Sequence, residues 1–288
     1  MRINKLFSNY GICSRKETNK LIEEKRIKVN GETCILGQWV EESDEILLDG
    51  KAISRKEKVY IALNKPVGIM CTAGKVEGNI IDFMNYPEYI FPVGRLDKES
   101  QGLIIMTNDG ELANAILEAD NMHEKEYIVQ VDKSFDEMFL ELMALGVKIS
   151  GEESSGIKRV SDTLGVYKNS ECKEFSSCKS KIKNLETIPL KELSVVKENK
   201  KAKIMTRPCK VSKVNENTFK IVLTQGLNRQ IRKMCGALGY KVIKLERIRI
   251  MNVTIDNIES GKWRYLKEDE LFCLKRKSKL NIEMSMTL

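Results

Sequence analysis

Apolar residues open the chain at helical spacing: Ile3, Leu6 and Phe7 share a face and Ile12 follows, which predicts a short helix and a turn. Ser14, with Glu17 three residues on, forms a capping box. A second helix therefore starts at Arg15, buries Leu21 and Ile22, and turns Arg15, Lys16 and Lys20 outward. Strands are predicted at Ile27 to Gly31 and at Ile46 to Leu48. After a charged connector, Lys51 to Lys58, the pattern tightens: Val59 to Leu63 reads as a buried strand, and Asn64-Lys65-Pro66-Val67-Gly68 breaks it before Ile69-Met70-Cys71. A loop runs on to Phe91-Pro92-Val93. Then come the strand Leu103 to Met106, the turn Asn108-Asp109-Gly110, a helix over Glu111 to Glu118, the strand Tyr127 to Val131, and a helix from Phe135 to Leu145 closed by Gly146.

The rhythm stops at 152–203, which is rich in Lys, Glu and Ser and keeps neither period. This stretch predicts a flexible surface insertion. The alternative is a basic arm toward a polyanion, using Lys158, Arg159, Lys173, Lys179, Lys181 and Lys183. Regular order returns at Ile204 to Val214, followed by a hairpin strand Thr218 to Thr224, a helix Asn228 to Leu238 stopped by Gly239, and a strand Lys241 to Ile250. Many strands with a few short helices predict an α+β fold, a small N-terminal domain followed by a domain on a mixed, mainly antiparallel sheet with flanking helices. The expected boundaries are 1–56 and 57–274, interrupted at 152–203. A basic tail, 275–288, is expected to be disordered.

Charge sharpens this. The net charge of +8 is concentrated at the front, where residues 1–30 carry eight Lys or Arg against three Glu. A segregated basic face fits a nucleic-acid partner better than a diffuse excess does. The eight cysteines form no CxxC pair and the chain has a single histidine, His123, so no metal is expected. With no apolar run near the ~20 residues of a membrane helix and no apolar leader, the thiols read as reduced and the protein as cytoplasmic. No glycine-rich phosphate loop occurs, so no cofactor is expected.

The stretch Gly94-Arg95-Leu96-Asp97-Lys98-Glu99-Ser100-Gln101-Gly102 places one carboxylate, Asp97, in a polar loop just before an apolar strand. There it can serve as nucleophile, base or turn cap. The loop resembles the catalytic motif of the RNA pseudouridine synthases, whose Arg-Leu-Asp triplet carries the nucleophilic aspartate. "HEKEYIVQV", "TQGLNRQIRKMCGALGY", "LNKPVGIMCT" and "LERIRIMNV" match the same family in order. The front, "INKLFSNYGICSRKETNKLIEEKRIKVNG", resembles the alpha-L RNA-binding module of a ribosomal small-subunit protein. Ser100 stands where many relatives have Thr, which keeps the hydroxyl.

The resemblance implies Asp97 as nucleophile, Tyr127 stacking on the uracil and Arg232 as counter-ion. A guanidinium stays charged and pairs with carboxylate through two N–H groups, which suits that last role. Arg95 would fill the space left by the flipped uridine. Lys65 would be a phosphate contact or a structural ion pair. Arg2, Lys5, Ser14, Arg15, Lys16 and Lys20 would contact phosphates. The implied partner is ribosomal RNA, of the large subunit, with transfer RNA as a second candidate. No membrane and no obligate protein partner are implied, and the protein is expected to act as a monomer. Whether the aspartate first attacks C1′, adds to C6 or abstracts a sugar proton stays open. The rival reading is a non-catalytic RNA-binding or ribosome-assembly factor on the same fold.

Overall fold

The computed structural model describes residues 1–41, 43–72, 76–118, 121–150 and 203–285. Met1–Ile149 and Ile204–Leu288 form one unit. Of the second, Ser150–Lys203, only the two end residues are described. The predicted insertion and its lysines therefore lie outside the described residues, as do Cys172 and Cys178.

The front folds as the pattern predicts. Helix α1 (Ile3–Asn9) packs on α2 (Arg15–Glu23), beside a sheet of β1 (Ile27–Val29), β2 (Glu32–Thr33), β3 (Ile46–Leu48) and β4 (Lys51–Ala52) in the order β2-β1-β3-β4. Both halves of the capping box form: Ser14 Oγ accepts from the Glu17 amide at 3.1 Å, and the Glu17 carboxylate accepts from the Ser14 amide at 2.9 Å. Ile3, Leu6, Phe7, Ile22, Ile27 and Val29 make the core, and Leu21 is only partly buried.

The main sheet follows from β5 (Tyr60–Lys65), α3 (Ile80–Met84), β6 (Phe91–Pro92), β7 (Gln101–Thr107), α4 (Gly110–Leu117), β8 (Lys125–Val131), α5 (Glu137–Leu145), β9 (Lys148–Ser150), β10 (Lys203–Met205), β11 (Lys210–Lys213), β12 (Thr218–Leu223), α6 (Gln230–Ala237), β13 (Val242–Ile250), β14 (Val253–Thr254), β15 (Trp263–Tyr265) and α7 (Glu268–Ser285). Its order is β11-β12-β8-β13-β7-β5-β15, with β14 on β13 and β6 on β7, while β9 and β10 pair separately. Among the described residues of that sheet, only the β13–β7 strand pair is parallel. Among the described residues no helix is long and apolar enough to cross a membrane.

Three features differ from the sequence reading. Strand β5 does not break at Asn64 but runs through Lys65, because the Asn64 side chain donates to the Ile258 carbonyl and only Pro66 lacks a ladder donor. Helix α3 sits in the expected loop, started by Asn79, whose Oδ1 accepts from the amides of Ile81 and Asp82. The tail expected to be disordered is instead the continuation of α7 as far as Ser285. Glu268, Asp269 and Glu270 suit the positive end of its dipole, and Leu274 and Ser278 are buried.

Alternation along the strands sorts the core by face. Tyr60, Ala62, Leu103 and Ile105 meet α4 and α7 through Ile116 and Leu274. On the other face Ile61, Leu63, Ile104 and Leu96 pack on α3, while Val129, Val131, Phe219 and Leu245 pack on α5 and α6. Tyr127 touches both of these clusters and marks the seam between them. Where the parallel pair forms, Gly102 (φ +109°) lies opposite Arg247. A Cβ there would overlap the Arg247 carbonyl oxygen and stand 2.6 Å from its nitrogen. We expect Gly102→Ala to cost about 3 kcal/mol or more in urea unfolding, from left-handed strain plus the clash. A loss under about 1 kcal/mol would contradict this close approach.

Candidate active site

The loop between β6 and β7 is fixed from below. Leu96 is buried in the α3 cluster and its amide donates to Cys71 Sγ at 3.3 Å. The Ser100 amide closes a turn on the Asp97 carbonyl at 3.0 Å, and the Lys98 carbonyl accepts from the Gly68 amide at 2.8 Å. Between these anchors the Asp97 carboxylate is 28% exposed and makes no hydrogen bond among the described residues.

Arg232 reaches it from α6. Its Nη1 donates to the Val242 carbonyl, and its Nη2 donates to the Glu99 carbonyl and to Ser100 Oγ, each at 3.2 Å. These contacts leave Nε facing Asp97 Oδ2 and Glu99 Oε2, both at 3.8 Å. The Nε is buried and has no hydrogen-bond partner among the described residues. The two-pronged pairing expected from the sequence is therefore not made: one terminal nitrogen holds the Val242 carbonyl of β13, and the other holds the Glu99 carbonyl and Ser100 of the loop. What remains is a fixed charge and one free N–H beside the carboxylate. Glu99 is tied elsewhere, to Arg229 at 2.9 Å, and that guanidinium holds its carboxyl below the usual range.

A row across the sheet completes the site. Lys65 pairs with Gly102, Gly102 with Arg247, and Arg247 with Tyr127. Paired residues share a face, so all four belong to the seam side. Tyr127 is partly buried, and its hydroxyl has no partner among the described residues. Lys65 needs correction as an RNA contact. It is fully buried, its Nζ donates to the Pro66 carbonyl at 2.8 Å, and burial pushes its pKa down. A phosphate cannot reach it, and among the described residues its Nζ makes a hydrogen bond to a backbone carbonyl and not the structural ion pair expected as the alternative.

Arg95 is exposed beside the loop, and Arg2, Lys5, Arg15, Lys16 and Lys20 are exposed on the front module. Ser14 is half-buried, with its hydroxyl occupied as the cap of α2, and Lys20 lies 3.6 Å from Glu24.

Two further cations belong to this neighbourhood. Arg247 is 3% exposed, its Nε donates to the Leu103 carbonyl at 2.7 Å, and its Nη2 has no partner among the described residues. Lys125 lies in phase with Tyr127, and burial, then Arg247, push its pKa from 10.5 to about 8. The signal for both is present in the sequence: each is a charge on the inward phase of a half-buried strand. The folded protein holds the Lys125 proton less tightly than the unfolded chain does. Stability therefore rises with pH between about 8 and 10.5, where the unfolded chain binds more protons. Measured against Lys125→Met, wild type should gain up to about 3 kcal/mol across that window. Parallel stability curves would sink the assignment.

Comparison with known proteins shows the family of the chain. Residues 59–237 match the model of the RNA pseudouridylate synthase family, and residues 1–46 match the S4 domain. The chain is 41% identical over 278 residues to the dual-specificity RNA pseudouridine synthase RluF of Escherichia coli (strain K12), covering 95% of this chain and 78% of that protein. It is 28% identical over 274 residues to the ribosomal large subunit pseudouridine synthase B of Bacillus subtilis (strain 168), covering 94% and 93%. A crystal structure of a pseudouridylate synthase shares the fold, with a TM-score of 0.59 at 23% identity over 95% of this chain and 99% of that one. A carboxylate on a pinned loop, a guanidinium held beside it and an aromatic ring across the seam thus have a common setting: the chain belongs to the RNA pseudouridylate synthase family, enzymes that isomerise uridine to pseudouridine, and carries an S4 domain at its front.

Proposed function

We propose that this enzyme isomerises one uridine of large-subunit ribosomal RNA, with Asp97 as the nucleophile. The observation that carries the site is the single free N–H of Arg232, aimed at a carboxylate that has no competing partner among the described residues. Isomerisation breaks the bond from C1′ to N1, turns the uracil and joins C5 to C1′; the C5 hydrogen leaves as a proton and N1 takes one up. Redox state and net composition do not change. A carboxylate can carry the separated intermediate whichever bond it makes first. Tyr127 offers its ring to the displaced base. Arg95, exposed at the loop, enters the space left when the target unstacks, a step costing a few kcal/mol. The exposed cations of 1–56 hold the RNA backbone, and 57–274 supplies the chemistry.

The large-subunit target draws support from the Bacillus relative, a ribosomal large subunit pseudouridine synthase, and a second substrate, for which we propose transfer RNA, from the dual specificity of the Escherichia one. We further propose a cytoplasmic monomer without an obligate protein partner, since RNA contacts and chemistry reside in one chain. Mapping pseudouridines in ribosomal and transfer RNA from a deletion strain tests the target. Loss of a large-subunit pseudouridine, restored by the wild-type gene, is expected. An unchanged ribosomal map would overturn the assignment.

A further inference from the structure

The sheet ends at β15, which pairs with β5 alone, Trp263 opposite Leu63 and Tyr265 opposite Ile61. Antiparallel partners share a face, so both aromatics project on the side that carries Lys65 and the Asp97 loop. Neither is buried: Trp263 is 39% and Tyr265 56% exposed. Tyr86, just after α3, joins them. Its ring meets Trp263 edge-on at 5.9 Å, Trp263 meets Tyr265 edge-on at 5.4 Å, and the two tyrosine hydroxyls stand 3.1 Å apart. Edge-to-face contacts leave ring faces unstacked, and Phe83 of α3 adds a further exposed ring near Gly261.

Beside the cluster lies an open groove of about 530 Å³, lined by Tyr86 and Tyr265 and by Arg55, Lys56, Glu57 and Lys58 of the connector that leads out of the S4 domain. Glu88 also lines it, while Lys58 is held by Asp109. Arg55, Lys56 and, next to Trp263, Lys262 are exposed cations. Unpaired aromatic faces beside cations on a backbone track are the chemistry that holds single-stranded nucleic acid, with bases on the rings and phosphates on the charges. Charged side chains along an edge also disfavour pairing with another strand. From β15 to β8 is four strand spacings, about 19 Å, so the cluster lies within a few unstacked nucleotides of Tyr127.

We propose that Trp263, Tyr265 and Tyr86 form a second RNA subsite, stacking one or two unpaired bases that flank the target uridine, with Arg55, Lys56 and Lys262 drawing the adjoining phosphates. The proposal rests on the family's RNA substrate and not on Asp97 or on a ribosomal target. Its test uses binding, so it can fail while catalysis stands. The chain has two tryptophans, so Trp39→Phe leaves Trp263 as the sole indole. Titration of that variant with short single-stranded oligouridine should quench indole emission as RNA binds. In the wild-type background, Trp263→Ala and Tyr265→Ala should each weaken binding about tenfold. The loss should appear as a raised KM for RNA, and Trp263→Tyr should restore most of the affinity. Unchanged emission under conditions where a mobility shift shows bound RNA would overturn the subsite. So would an emission change that follows protein concentration, which would make the patch a contact between copies of this chain.

Discussion

Asp97→Asn should abolish pseudouridine formation, lowering turnover by at least about 10⁴-fold, while the folded protein and its affinity for RNA survive. The substitution keeps the shape of the side chain and removes only its charge and nucleophilicity. Folding has little to lose, since the carboxylate makes no hydrogen bond among the described residues and only a 3.8 Å approach to Arg232. The nearby Glu99 gives the internal control. It stands at the same 3.8 Å from Arg232 Nε but is 61% exposed and held by Arg229. Glu99→Gln should therefore change turnover by no more than about threefold, as surface substitutions do. Tritium release from RNA labelled at uridine C5 measures both, because that hydrogen leaves in the reaction. Substantial release by Asp97→Asn, or its loss in Glu99→Gln, would move the chemistry to another carboxylate.

How much of this was legible beforehand follows from which residues obey a local pattern. The capping box at Ser14, the strand at Leu103 and the helix ended by Gly146 are set by near neighbours, and they form where the pattern puts them. Asp97, Tyr127 and Arg232 come from the resemblance to the pseudouridine synthases; the fold puts Arg232 3.8 Å from Asp97 and Tyr127 at the seam between two core clusters. What local pattern cannot show is what a strand's cross-sheet partners do to it. Lys65 reads as an exposed cation in a turn, yet β5 runs on to Pro66 and sinks it opposite Gly102. Arg247 stands on the inward phase of its strand, yet only the fold shows that it is enclosed where β13 runs parallel to β7. The chain from Lys275 on reads as a basic tail because of Lys275, Arg276, Lys277 and Lys279, while it continues α7, in which Leu274 and Ser278 are buried.

Arg232→Gln should lower turnover by about 10² to 10³-fold with little change in RNA affinity, and Arg232→Lys should recover only a small part of that loss. The guanidinium divides its work. Its two terminal nitrogens hold Val242, Glu99 and Ser100, and so fix the end of α6 to the Asp97 loop, while Nε and the charge face the carboxylate. A lysine brings charge through one nitrogen on a flexible stem. It must either reach Asp97 and release the loop, or hold the loop and withdraw from Asp97. Glutamine can keep one loop contact but supplies no charge. Both variants should lose about 1 to 2 kcal/mol of stability from the broken hydrogen bonds, small enough to leave the protein folded. With Arg232 only 14% exposed, RNA binding should be nearly indifferent to either change, so the loss belongs in kcat and not in KM. Single-turnover rates at saturating RNA separate the two. If Arg232→Lys keeps wild-type turnover to within about twofold, charge alone suffices and the three hydrogen bonds of the terminal nitrogens carry no catalytic weight. If Arg232→Gln keeps it as well, the counter-ion role falls, and the cations beneath the loop, Lys65 and Arg247, become the groups that hold Asp97 ready.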